Sequence, residues 1–171
     1  RLIEVYKNFT VSEAFAKADD TLSNAARGIS ELVNIAGEVN LDFADVDTVL
    51  RGGGVAVINT GYAEGEDRMT LAIQEALNSP LLNNNNISKA RQLLINVYYD
   101  DKAPLTVDEF SQIHEFTSEF SDEVNTIHGI SRKEGLGTKL GVTILASGFG
   151  FDEDIFIPKT VKKRDPLTKI N

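Results

Sequence analysis

The chain has 171 residues, of which 42% are hydrophobic and 25% charged, enough apolar material for one packed domain and too much for a disordered, collagen-like or low-complexity chain. Twenty-six acids against seventeen bases leave a net charge of −9, a sign that argues against nucleic acid or an anionic membrane as the main partner. The absence of cysteine excludes a disulfide framework, a thiolate nucleophile and cysteine-rich zinc sites.

No apolar run approaches the ~20 residues that span a bilayer, and the first ten residues lack the apolar block of a signal peptide, so the default expectation is a cytosolic protein with no direct membrane insertion. The chain starts at Arg1, and its only methionine is Met69. The expectation is therefore a piece excised from a longer protein.

Over residues 11–33, Val11, Ala14, Phe15, Ala18, Leu22, Ala25, Ala26, Ile29, Leu32 and Val33 recur at steps of three and four, which predicts a long amphipathic helix. Thr10 and Glu13 form a capping box at its start and Gly37 supplies a stop. Asp42 caps a second helix reaching Leu50, with Asp45 in its first turn, where the helix dipole favours an anion. Gly52, Gly53 and Gly54 break it. A buried strand follows over 55–59, then a loop over 61–67, a helix over 68–77 and a surface loop over 83–86.

The second strand covers 93–99. Thr106 and Glu109 open a helix in which Val107, Phe110, Ile113, Phe116 and Phe120 share a face. A third strand spans 124–131 and a fourth 139–147, joined by a short hairpin turn containing Gly135 and Gly137. Strands linked through a helix must run parallel. The fold class expected is therefore α/β (α+β): a long N-terminal helix, then a mixed four-stranded sheet packed with helices. Residues 151–171 carry Lys159, Lys162, Lys163 and Arg164 and read as a basic extension or the start of a linker.

Little of the chain reads as chemistry. Gly52 to Gly54 precede a strand, the glycines of 61–68 stand among Glu64, Glu66 and Asp67, and Gly135, Gly137 and Gly141 lie in a turn and strand; none has the strand-loop-helix context of a phosphate cradle. His114 and His128 sit on different elements with no ligand set around them, so no metal site is expected. The remaining candidate is the run Asn40, Leu41, Asp42, Phe43, Ala44, Asp45, an amide and two carboxylates at a helix entry. Paired acids there can orient or polarise a water, although helix N-termini also collect aspartates simply as caps.

Residues 40–45 resemble the synergy loop of the FtsZ family, the tubulin-like GTPases of bacterial cell division. The resemblance extends in order over roughly residues 1–150: Arg1, the helix segment 25–32, the stretch 61–68 with Gly65, Glu66, Asp67 and Arg68, residues 79–82, and the strand 142–149. It implies a division of the chain into the end of a nucleotide domain and central helix (1–39), the synergy loop and following helix (40–50), and the tubulin-like C-terminal subdomain (51–150). The family's GTP-binding domain, with its glycine-rich signature, would lie outside this chain.

By that resemblance Phe15 stacks on guanine and Asp19 accepts hydrogen bonds from the base, while Asn40, Asp42 and Asp45 enter the nucleotide site of the next subunit and position the attacking water. Phe15 read by itself also fits a packed core aromatic at helical spacing, since the domain that would complete the base pocket lies outside this chain. The implied cofactors are GTP and Mg²⁺ in the full-length protein, with none held tightly by this fragment, which would be inactive alone. The implied partners are other copies in a head-to-tail protofilament, and division-ring adaptors through a tail beyond Asn171; the implied location is the cytoplasm at the mid-cell ring. The segment 55–60 and the loop 99–104 depart from the family pattern without touching this chemistry. Two other readings stay open: a noncatalytic interaction module, and a small hydrolase using Asp42 and Asp45 as an acid and base pair.

Overall fold

The computed structural model describes residues 8–78, 87, 89–121 and 123–149. The expectations for Arg1, for residues 79–82, for the loop 83–86 and for the basic extension 151–171 lie outside the described residues.

The first element is the expected long helix, α1 (Val11–Asn34), opened by the Thr10 and Glu13 capping box. A three-residue strand, β1 (Gly37–Val39), leads into α2 (Phe43–Leu50). Then follow β2 (Val55–Ala63), α3 (Arg68–Leu77), β3 (Gln92–Tyr99), α4 (Val107–Ser118), β4 (Asn125–Arg132) and β5 (Leu140–Phe149). The second predicted capping box, Thr106 with Glu109, opens α4. The five strands form one sheet in the order β1, β4, β3, β5, β2.

Three features differ from the sequence reading. The sheet has five strands among the described residues rather than four, because residues 37–39 pair antiparallel with the edge of β4. So short a segment carries no alternation of its own; it is held by its neighbour, as the Arg132 N–H donating to the Ala36 carbonyl illustrates. Next, β2 runs on through Gly61 to Ala63, where a loop was expected. Gly61 is a contact glycine: a Cβ there would collide with the Ala72 carbonyl of α3, so its lack of side chain lets helix and strand touch.

The third difference is topological. β3 and β4, joined through α4, are parallel neighbours as expected. β5, however, lies between β3 and β2 and is antiparallel to both, so the glycine-containing connection after β4 is no hairpin, and β2 never pairs with β3. The reason is burial: the first eight of the ten β5 residues are buried, which suits a central strand with neighbours on both sides. Asp100, at the end of β3, draws the connection across by accepting the N–H groups of Gly135 (2.9 Å) and Gly137 (3.0 Å). Both glycines have positive φ, at 89° and 64°.

Each face of the sheet is covered. One core joins α3 and α4 to the sheet through Met69, Ile73, Ile113, Leu93, Ile95 and Val142. The other seats α1 and α2 through Leu32, Val46, Val49, Leu94 and Leu145. Phe110, Phe116 and Phe120 pack as the helical spacing predicted, whereas Val107, assigned to the same face, is 84% exposed. In α1 only the C-terminal half rests on the sheet; Val11, Phe15 and Leu22 of the same apolar stripe are exposed.

Candidate functional site

Residues 40–45 form the entry to α2, and the local sequence dictates their geometry. Asp42, in extended conformation, is the N-cap: its Oδ1 accepts the Asp45 N–H at 3.0 Å, and Asp45 Oδ2 accepts the Asp42 N–H at 2.8 Å. This is a full capping box with aspartate in the N3 position, one step more than the cap and dipole-matched acid that the sequence indicates. The box fixes both carboxyl groups, and the other oxygen of each has no hydrogen-bond partner among the described residues. Asn40 is tied back by its Oδ1, which accepts the Gly37 N–H at 2.8 Å. Asn40 and Asp42 are exposed and Asp45 is half-buried, so all three side chains of this short segment are accessible.

The same short segment is anchored between its polar residues. Leu41 is 6% exposed and joins the core under α1 and α2. It seats over Gly129 of β4, where an added Cβ would collide with the Leu41 side chain and with Asn96 Oδ1. Phe43, by contrast, projects into solvent.

Glu38 of β1 binds the sheet edge, its Oε1 accepting from the Tyr99 hydroxyl and from Arg132 Nη2, both at 3.0 Å. Those two hydrogen bonds, Tyr99 first, hold the Glu38 carboxyl below its ordinary pKa. Arg132 also reaches Asp101 through Nε at 3.1 Å. At the end of α1, Lys133 Nζ lies 2.8 Å from Glu31 and donates to the Tyr62 hydroxyl at 3.2 Å. Burial works to lower the Lys133 pKa, but hydrogen bonds to Glu31 and Tyr62 outweigh it, and the ammonium stays charged above its usual range.

The other two sequence candidates lie elsewhere. Phe15 and Asp19 are one turn apart on the exposed N-terminal half of α1. From Phe15 to the C-terminal end of α1 is about 28 Å at ~1.5 Å per residue. The structure therefore groups Asn40, Asp42 and Asp45, and separately Phe15 with Asp19, but does not bring the two groups together. Phe15 is 67% exposed and is not a core aromatic here.

His114 and His128, on different elements as the sequence indicates, meet edge to face with ring centroids 5.7 Å apart. The parallel pairing of β3 and β4 across α4 brings them together, a tertiary consequence that no local signal carries. No cluster of three potential metal ligands occurs among the described residues. Nor is any helix among them long and apolar enough to cross a membrane.

The family model described as FtsZ family, C-terminal domain, matches residues 54–150. The chain belongs to the FtsZ family. It is 53% identical over 152 residues to the cell division protein FtsZ of Porphyromonas gingivalis, covering 89% of this chain and 33% of the relative. Identity to the FtsZ of Methanothermobacter thermautotrophicus is 40% over 149 residues, covering 86% of this chain and 38% of the relative. This FtsZ-family chain thus spans about a third of the length of the curated relatives it matches.

Among solved structures, an empty FtsZ dimer of M. jannaschii superposes with a TM-score of 0.67 at 34% identity, covering 86% of this chain and 42% of that one. The TubZ of Bacillus thuringiensis serovar israelensis, solved as GDP-form protofilaments, shares the fold at a TM-score of 0.56 and 17% identity, over 67% of this chain and 32% of that one. The expected tubulin-like architecture is therefore the one observed, with one strand more than the sequence indicated.

Proposed function

We propose that this chain supplies the hydrolysis-activating part of a GTP-dependent, filament-forming cell-division protein. Asn40, Asp42 and Asp45 enter the nucleotide site of the next subunit in a head-to-tail protofilament and orient the water that attacks the γ-phosphate. The observation that carries the reading is the spatial split: the amide and two carboxylates sit on an exposed rim beyond one end of α1, far from Phe15 and Asp19. A chain built this way faces one nucleotide with Phe15 and Asp19 and a second with the 40–45 rim. Family membership, a similar cell division protein and a neighbour of the same fold solved as protofilaments support the same reading.

The chemistry is one of positioning and charge. The oxygens of Asp42 and Asp45 not engaged in capping are acceptors for a water's protons, and Asn40 offers an amide donor beside them. Oxygen donors of this kind suit a nucleotide carried with Mg²⁺, whose charge offsets that of the phosphates. Because nucleotide and acids belong to different subunits, hydrolysis depends on assembly. In this reading residues 1–39 end the nucleotide domain and carry the central helix, 40–50 form the activating loop with its helix, and 51–150 form the C-terminal subdomain. The parent protein works in the cytoplasm at the division ring and meets its adaptors through a tail beyond Asn171.

Phosphate release from GTP tests this, measured for the chain alone and after mixing with a separately produced GTP-binding domain of the same protein. The expected result is turnover in the mixture only, abolished by Asp42→Ala. Turnover by the chain alone overturns the split site in favour of a self-contained hydrolase. Silence in both, with folded domains and bound GTP, favours a noncatalytic interaction module.

A further inference from the structure

One short stretch of chain, from Gly129 to Lys133, makes several of the contacts that hold the loop carrying the candidate carboxylates. Gly129 leaves the space that Leu41 fills. The Arg132 N–H donates to the Ala36 carbonyl at 3.2 Å, and its guanidinium bridges Glu38 and Asp101 at 3.0 and 3.1 Å. Lys133, one residue on, holds Glu31 at the end of α1, with its ammonium 5.6 Å from the Tyr62 ring centre and 5.4 Å from that of Tyr98. Gly37, at the start of β1 just before the loop, approaches the β4 backbone so closely that a Cβ would collide with the Ile130 carbonyl. One strand end thus grips the chain leading into the loop, at Glu31, Ala36, Gly37 and Glu38, and the loop itself at Leu41.

We propose that Arg132 and Lys133 are positioning residues for Asn40, Asp42 and Asp45: they fix the loop so that the three side chains arrive at the partner's nucleotide in a set geometry. This rests on the reading of the loop as hydrolysis-activating. Two physical points favour a positioning role over a purely stabilising one. The core beneath α1 and α2, made by Leu32, Val46, Val49, Leu94 and Leu145, is apolar and packs without a contribution from either basic side chain. Ion pairs as exposed as Arg132 with Glu38 and Asp101 contribute little to stability, whereas a misplacement of about 1 Å at a reacting centre costs up to about 100-fold in rate. Arg132 suits the task because its planar fork reaches both acids at once.

The test uses the full-length protein, comparing steady-state GTP turnover with GTP affinity and the extent of assembly for Arg132→Ala, Lys133→Ala and Lys133→Arg. We expect each alanine variant to lose about tenfold in kcat with affinity and assembly unchanged, and Lys133→Arg to recover most of the loss. Amide hydrogen exchange supplies a second readout: the Gly37 N–H, bonded to Asn40, exchanges faster in both alanine variants. Wild-type turnover in both alanine variants, beside an inactive Asp42→Ala, overturns the positioning role and leaves the reading of the loop intact. An equal loss of assembly and turnover that Lys133→Arg fails to restore also overturns it, in favour of a general structural role. Full turnover in Asp42→Ala overturns both.

Discussion

Asp42 and Asp45 close the first turn of α2 on each other, each carboxylate accepting the other residue's backbone N–H, at 3.0 and 2.8 Å. The capping and catalytic readings of this pair are therefore not rivals in geometry, since the box itself orients the outward oxygens. They separate by substitution. Asparagine caps as well as aspartate, so Asp42→Asn should leave the melting temperature nearly unchanged, while Asp42→Ala costs ~1 kcal/mol. If the charge acts on water, both variants lose GTP turnover by at least about 100-fold in the full-length protein. Turnover that tracks the melting temperature instead, normal in Asp42→Asn and reduced in Asp42→Ala, would assign the pair to capping alone.

Phe15 offers a similar contrast. An aromatic packed in a core costs about 3–5 kcal/mol when cut to alanine, whereas an exposed side chain away from special features changes stability by roughly 0.5 kcal/mol or less. With Phe15 67% exposed, the Phe15→Ala chain should unfold at the same denaturant midpoint as the parent chain. In the full-length protein, loss of a base-stacking ring should weaken GTP binding about tenfold. Unchanged GTP affinity there would remove Phe15 from the guanine site.

Much of this architecture was legible because it is local. The Thr10 with Glu13 and Thr106 with Glu109 boxes, the Asp42 cap and the apolar stripe of α1 all lie within a few residues, where spacing maps directly onto contact. The family resemblance was carried by such runs too. What could not be read is set by residues far apart in sequence: the insertion of β5 between β3 and β2, the borrowed strand β1, and the contact of His114 with His128. The anchors of the candidate loop belong to that class. Gly129, Arg132 and Lys133 stand about ninety residues after the loop they hold, and only the sheet order makes them its neighbours.

The pair Arg68 and Glu109 ties three segments together and should be among the costliest to break. Arg68 Nε lies 2.5 Å from Glu109, with side-chain exposures of 8% and 12%, and its other nitrogens donate to the carbonyls of Pro104 and Thr138. Removing one partner leaves a buried charge, so Glu109→Ala should cost about 3–5 kcal/mol in denaturant unfolding. The double variant Arg68→Met with Glu109→Leu should cost less than that single change. A single-variant loss below ~1 kcal/mol would mean that water satisfies Arg68 after the change.

The last prediction concerns pH. His128 Nε2 is buried with no hydrogen-bond partner among the described residues, and burial, with a smaller push from the charge of His114, lowers the His128 pKa below its usual 6.5. The unfolded chain therefore binds this proton more readily than the folded one. Stability is complete above about pH 6.5 and falls as the pH drops through the depressed folded value, with a slope of at most ~1.4 kcal/mol per pH unit for one proton. Asp100, Glu38 and Glu109, whose pKa values are also lowered, act with the same sign but only near the carboxylate range, well below this window. Denaturant unfolding of the chain between pH 7.5 and about 5 should show the decline. His128→Gln should flatten that decline, and His114→Gln should only weaken it, because the burial cost at His128 remains. An unchanged slope in His128→Gln would place the titrating group elsewhere.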